Sequence, residues 1–363
     1  MKRFITIIII TIIFNFILKG EQDSFFKDIL IEGQYHYGFL WPHHTSIAYS
    51  INGHVPGFEF NILNYSNNKN IWDNLYHNPR KGFGMSYFYM QDHEIFGSAI
   101  GLYGLFDIPI IRNKTFNASY RIYGGLSWLT KIWDIKENYN QTAIGTHINL
   151  YFRGSLTCRY KISPSNELII GTGLTHFSNG NIKEPNLGLN IVTPSIGFVH
   201  NFISTEQDNE IEQKEIPDLN KFNLSLIYSG GIKAINGIYN DYYYKCALNI
   251  HLGYNINHIS QVGTGIDFLY DGTQKNKWEE SNSKKNKSDL LQLGYIIYHD
   301  LIYKKLILTV QAGTYLYNRH DYRMIYNRIG LKYKISKKIL TTLSLKSHKT
   351  QADYIEWGIG YIL

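Results

Sequence analysis

Towards the C-terminus apolar and polar side chains alternate one for one. In 328–335, Arg328, Gly330, Lys332 and Lys334 alternate with Ile329, Leu331, Tyr333 and Ile335. In 306–314, Leu306, Leu308, Val310 and Ala312 alternate with Ile307, Thr309, Gln311 and Gly313. The last segment sets Ile355, Trp357, Ile359, Tyr361 and Leu363 against Glu356, Gly358 and Gly360. Successive strand side chains point to opposite faces, so this period of two predicts strands with one apolar and one polar side. Repeated in segments of about ten residues, it is the pattern of a transmembrane β-barrel, apolar toward lipid and polar toward the lumen. Lysines sharing a face with glycines point to a wet lumen.

Connection lengths carry the same reading. Counting back from a periplasmic C-terminus, the connections near 336–338, 302–304, 256–259 and 161–165 are short. Those near 349–353, 318–323, 272–288, 234–241 and 131–143 are mostly longer and polar. Bacterial barrels have short periplasmic turns and longer external loops. The exception is 204–221 (STEQDNEIEQKEIPDLNK), a long acidic segment where a periplasmic turn should be. It reads as a solvated excursion inside one barrel. The expectation is therefore all-β: a single transmembrane antiparallel barrel domain over 21–363, with 14–16 strands. Strand 166–177 runs outward in this count.

Composition agrees. Among 363 residues there are 30 Tyr and 31 Gly, with 15% aromatic and only 18% charged residues, whereas a soluble domain is nearer a quarter charged. Lys2 and Arg3 precede an unbroken apolar run from Phe4 to Leu18, which predicts a signal peptide over about 1–20. The run is short for a membrane-spanning helix. Two cysteines, Cys158 and Cys246, are too few for a disulfide framework and read as wall positions. The net charge of +7 is spread over loops and lumen, so no nucleic-acid partner is expected.

The candidate chemistry lies in 172–190, TGLTHFSNGNIKEPNLGLN. His176 and Ser178 stand at i and i+2 near the external end of a strand, on one face, so an imidazole can serve as base for a neighbouring hydroxyl. A Pro-Asn-Leu-Gly turn follows, bringing Asn179, Asn186 and Asn190 to the same edge. Thr172 and Leu174 share the face of His176 and Ser178, and this suits a lipid-facing pair.

His176-Phe177-Ser178-Asn179, followed by Lys183-Glu184-Pro185-Asn186-Leu187-Gly188, resembles the motif of the outer-membrane lipid A 3-O-deacylases (PagL-like, or acyloxyacyl hydrolase). A weaker resemblance extends to 37–49, 78–90 and 119–131. Compact members are eight-stranded barrels, and this chain is more than twice as long. The resemblance implies a bacterial outer-membrane esterase that cleaves an acyl ester of lipid A or lipopolysaccharide without a cofactor or metal. Lipid A and the outer-membrane lipids would be its partners. It implies His176 as general base, Ser178 as nucleophile and Asn186, with Asn179, at the oxyanion or in substrate positioning. Where compact members carry an acidic triad residue this chain has Asn190. An Asn can orient the His tautomer but cannot neutralise an imidazolium, so slower turnover or a substitute carboxylate is expected, with Glu59 and Glu184 as the candidates.

Plainer readings remain for other features. His43-His44 resembles a metal pair, but adjacent strand residues face opposite sides, so a loop or wall role is favoured. The stretch Lys275–Lys287 reads as a solvated external loop, with contact to lipid A phosphates as a minor alternative. Trp128, Trp133, Tyr239, Tyr242, Tyr243 and Tyr244 fit an interfacial aromatic girdle. A different class of function also fits the wall: a non-catalytic porin or uptake channel that keeps the motif as a structural turn.

Overall fold

A computed structural model describes residues 29–42, 45–48, 51, 53–65, 71–202, 219–235, 241–275, 286–319, 323–349 and 351–363. The apolar N-terminal run, His43-His44 and most of the Lys275–Lys287 stretch lie outside these residues. The chain is all-β and antiparallel, and no helix among the described residues is long and apolar enough to cross a membrane. The first set of strands is β1 (Ile29–Leu40), β2 (Val55–Tyr65), β3 (Arg80–Tyr89), β4 (Ser98–Arg112), β5 (Phe116–Leu129), β6 (Ile148–Ser163), β7 (Asn166–Ser178) and β8 (Leu189–Asn201). The second is β9 (Phe222–Ile235), β10 (Asp241–Asn257), β11 (Ser260–Asp271), β12 (Leu291–Tyr303), β13 (Leu306–Tyr317), β14 (Ile325–Lys334), β15 (Ile339–His348) and β16 (Gln351–Ile362).

The sixteen strands match the expected number, but they do not close as one barrel. β8 returns to pair with β1, Leu30 opposite Asn201, and β16 pairs with β9, Trp357 opposite Gly230. Two eight-stranded barrels result. The acidic connection is thus the boundary between barrels, where a single-barrel reading made it an excursion. Loop parity could not distinguish the two arrangements, because either has an even strand count and periplasmic ends. Two connections also depart from the length rule: only residues 349 and 350 separate β15 from β16, and the inner turn between β2 and β3 is long and carries the short helix Ile71–Leu75.

Both walls obey the alternation. On β1, Tyr35, Tyr37 and Phe39 face outward and are exposed, while Gln34 and His36 are buried inside. On β14, Arg328 and Lys332 are buried in the lumen, with Ile329 and Leu331 exposed outside. An eight-stranded interior is just wide enough for side chains to fill it. Here charged side chains fill it and pair with one another, because an unpaired charge in such a space is costly. In the N-terminal barrel Arg121 makes a two-pronged contact with Glu32 at 2.6 and 2.7 Å and reaches Asp107 at 2.8 Å. In the C-terminal barrel Arg328 bonds Asp267 and meets Glu356 at 2.6 Å, and Lys332 meets Asp300 at 2.8 Å. The glycine-and-lysine face is therefore an ion-paired packed interior. The outer end of the N-terminal lumen is different, being stoppered by Leu40, Phe88, Met90, Leu129, Phe177 and Leu189, all at most 1% exposed.

The barrels touch at both ends of their walls. At the inner end Tyr303 donates to Asp73 at 2.7 Å and receives a hydrogen bond from Lys81, and its ring lies 4.8 Å from that of Phe106. Tyr76 donates to the carbonyl of Ile302 at 3.0 Å. Burial pushes the Tyr76 hydroxyl up to about 12, which keeps it a donor. At the outer end the connection after β7 meets β9 and β16. Strands of a closed barrel tilt by roughly 35–45°, so the two ends of one strand lie on different sides of the wall. This is how the inner ends of β3 and β4 and the outer end of β7 can face one neighbour.

Candidate active site

β7 presents Thr175 and Phe177 to the lumen and Thr172, Leu174, His176 and Ser178 to the outside; Leu174 is 41% exposed and Thr175 fully buried. His176 and Ser178 therefore share the outer side of the wall at its external end, His176 half-buried and Ser178 covered to 2% exposure. Cross-strand register sets Phe152 of β6 and Asn190 of β8 on either side of His176. Phe177, between the two candidates, inserts into the apolar stopper, with its ring 5.5 Å from Tyr151 and 6.4 Å from Phe88. The pair thus rests on packed core.

Asn190 Oδ1 lies 2.6 Å from His176 Nδ1. A carboxamide oxygen only accepts, so Nδ1 carries the ring proton and Nε2 is left as the basic nitrogen. Ser178 Oγ accepts from the backbone N–H of Gly180 at 3.1 Å and from Asn186 Nδ2 at 3.1 Å. Asn186 is itself held, its Oδ1 accepting from the Asn179 backbone N–H at 2.9 Å. The Asn179 side chain is committed to the turn, donating to Lys183 O at 2.8 Å and accepting from Asn181 N at 2.9 Å. Of the amides read from the sequence, Asn190 reaches His176 and Asn186 reaches Ser178, whereas Asn179 contributes its backbone.

Of the two substitute carboxylates, Glu59 is out of reach. Glu59 is on the inner face of β2, 2% exposed and 3.1 Å from His36 Nε2, so the wall stands between it and the outward-facing His176. Glu184 lies in the turn with its carbonyl against Gly145. The residue on His176 Nδ1 is Asn190.

Several supports carry no motif that could be read in advance. The segment between β5 and β6 folds over the turn: Ile144 bridges to Asn186, and Gly188 N donates to Ala143 O at 3.0 Å. Gly188 has φ 80°, and a Cβ there would lie 2.8 Å from His176 Cε1, so only glycine lets the imidazole lie against this backbone. Gly180, whose amide reaches Ser178, also has positive φ at 64°. The glycines were visible in the sequence, but their positions beside the ring and the hydroxyl follow from the fold. The arrangement sets an imidazole and a hydroxyl two residues apart on one face of β7, the imidazole bonded to Asn190 and the hydroxyl donating to Asn186 Oδ1 at 3.3 Å with two N–H donors beside it. These are residue types that serine acyl transfer uses.

Comparison with known proteins divides the chain as the barrels do. Residues 63–199 match the family model described as lipid A 3-O-deacylase (PagL), and residues 222–363 match that described as acyloxyacyl hydrolase, C-terminal domain. No curated protein matches the chain. Among solved structures, the outer-membrane protein Omp33 of Acinetobacter baumannii aligns over 94% of this chain and 100% of its own, at 6% identity and a TM-score of 0.20. A mutant porin of Rhodopseudomonas blastica aligns over 92% and 99%, at 7% identity and a TM-score of 0.18. Scores this low do not mark a shared fold.

Proposed function

The chain belongs to the PagL-like lipid A deacylase family of the bacterial outer membrane, and on that premise we propose that it hydrolyses an acyl ester of lipid A with Ser178 as nucleophile and His176 as base. The observation that carries this reading is the hydrogen-bonded set His176–Asn190 at 2.6 Å and Asn186–Ser178 at 3.1 Å on the lipid-facing wall. A lipid A acyl ester lies in the outer leaflet near the headgroups, at the depth of a strand's external end, so the pair meets it from the side without drawing it out of the bilayer.

In the proposed mechanism Ser178 Oγ attacks the ester carbonyl carbon while His176 Nε2 takes its proton. The carbonyl oxygen becomes an oxyanion, and the Gly180 N–H and Asn186 Nδ2 are the donors available beside it. Collapse expels the alcohol oxygen of the lipid A ester, which leaves as a hydroxyl with the proton from His176. Water, activated by the same nitrogen, then releases the fatty acid from Ser178. Asn190 keeps the imidazole in the correct tautomer throughout and adds no charge to offset the imidazolium.

The channel reading draws no support from the lumens, since charged and aromatic side chains buried on all sides fill both. The test is mass spectrometry of lipid A from cells expressing the protein, Ser178→Ala or His176→Ala. The wild type should give a product lighter by one acyl chain, and each variant, folded and inserted, should lose it. Removing one member of a catalytic pair costs about as much as removing the set. Full activity in Ser178→Ala would overturn the serine mechanism.

A further inference from the structure

We infer that the C-terminal barrel is a positioning element for the Ser178 turn, acting through Ile355 and Ala234. The inference rests on the catalytic reading of Ser178. It starts from two outward-facing residues that the wall pattern would leave in lipid. On β16, Trp357 and Ile359 face outward at 69% and 57% exposure, yet Ile355 on the same face is half-buried. On β9, Leu226, Tyr228 and Ile232 are exposed along the outer face, yet Ala234 is wholly buried. The cover in both cases is the turn of the other barrel. A Cβ built on Gly180 would overlap the Ile355 side chain, so backbone and side chain are in direct contact. Ala234 N donates to Asn181 O at 3.2 Å, and Asn181 Nδ2 approaches Ala352 O at 3.5 Å.

The residue pressed onto Ile355 is also the one whose N–H holds Ser178 Oγ at 3.1 Å. Its neighbour Asn181, tied to β9 through its carbonyl, has φ 67° and donates its own N–H to Asn179 Oδ1 at 2.9 Å. Asn179 in turn fixes Asn186 through its backbone N–H. Any shift of the barrel contact therefore moves both donors at the nucleophile. The inner contacts of Tyr303 and Tyr76, at the far end of the walls, hold the second barrel to one orientation. Packed interiors transmit displacement with little give, so the second barrel sets the position of Gly180 and Asn181 without touching substrate.

The experiment uses the full chain in bilayers containing lipid A. It compares Ile355→Ala, Ile355→Val, the lipid-facing control Ile359→Ala, and Ser178→Ala. The readouts are kcat, KM, and the rate at which an activated fluorophosphonate labels Ser178. Misplacement of a catalytic group by about 1 Å can cost about 100-fold. Ile355→Ala should lower kcat and the labelling rate together, by about 10- to 100-fold, with KM unchanged. Ile355→Val should recover most of both, and Ile359→Ala should match wild type. If Ile355→Ala does not insert as a folded barrel, Ala234→Val, which adds bulk at the wholly buried β9 position bonded to Asn181 O, should show the same paired loss, and wild-type kcat and labelling there would overturn the inference. Wild-type kcat and labelling in folded Ile355→Ala, or a change confined to KM, would overturn the inference while an inactive Ser178→Ala keeps the catalytic reading. An active Ser178→Ala would overturn the catalytic reading and this inference with it.

Discussion

The two barrels share a strand count, a strand direction and an ion-paired interior, and the difference that bears on the candidate site falls at one of their matching connections. Between the seventh and eighth strands the N-terminal barrel inserts the ten residues 179–188, which hold Ser178 and face His176; the C-terminal barrel has only residues 349 and 350 there. The lumens beneath differ as well. Under the ten-residue turn lies the apolar stopper around Phe177, whereas the outer end of the C-terminal lumen is polar, with Asp353 receiving Lys245 at 2.8 Å and Lys233 at 2.7 Å. The wall therefore does not dictate chemistry. On the proposed reading a connection does, when a close-packed plug supports it.

The sharpest way to break this comparison is to exchange the connections. Replacing 179–188 with Lys-Thr should abolish lipid A deacylation, a loss of at least about 10³-fold, while heat-modifiable gel mobility still reports two folded barrels. Undermining the plug should act on stability and activity together. Phe177→Ala opens a cavity and should cost about 3–5 kcal/mol, seen as a lower urea midpoint, with activity lost in step.

A smaller effect separates the members of the site. Asn190→Ala should reduce kcat by roughly 10- to 100-fold, well short of the loss in His176→Ala, since the base survives with a poorly fixed tautomer. Asn190→Asp should equal or exceed wild type, because a carboxylate makes the same bond and stabilises the imidazolium, an advantage worth up to about 10⁴ in serine proteases. A rate lower in Asp than in Ala at position 190 would refute Asn190 as the orienting group. The smallest effect belongs to the inner barrel contact. Tyr303→Phe removes a hydroxyl that joins Asp73 and Lys81 and should cost about 1 kcal/mol, measured by urea unfolding.

What was legible in the sequence follows from the period of two. Alternation at Arg328–Ile335 gave the faces correctly, and the His176-to-Asn190 segment gave a base and a hydroxyl on one outward face. Closure was not legible, because whether β8 returns to β1 or pairs onward depends on contacts between residues as far apart as Leu30 and Asn201. Glu59 misled for a related reason: a carboxylate is attractive on chemical grounds, but its inward register commits it to His36. The roles of Gly180 and Ile355 were hidden entirely, since they arise where two separately closed walls meet.

The outward facing of His176 and Ser178 has a kinetic consequence. For a site that opens sideways into a leaflet, substrate concentration is a mole fraction in two dimensions, and bulk volume does not enter. Diluting a suspension of intact membranes should leave turnover unchanged. Diluting lipid A with inert lipid inside the same membrane should lower it in proportion, and stiffening the leaflet should slow it by hindering lateral exchange. Arrival and departure both occur along the bilayer plane, and the released fatty acid and trimmed lipid remain as neighbours of the wall that made them.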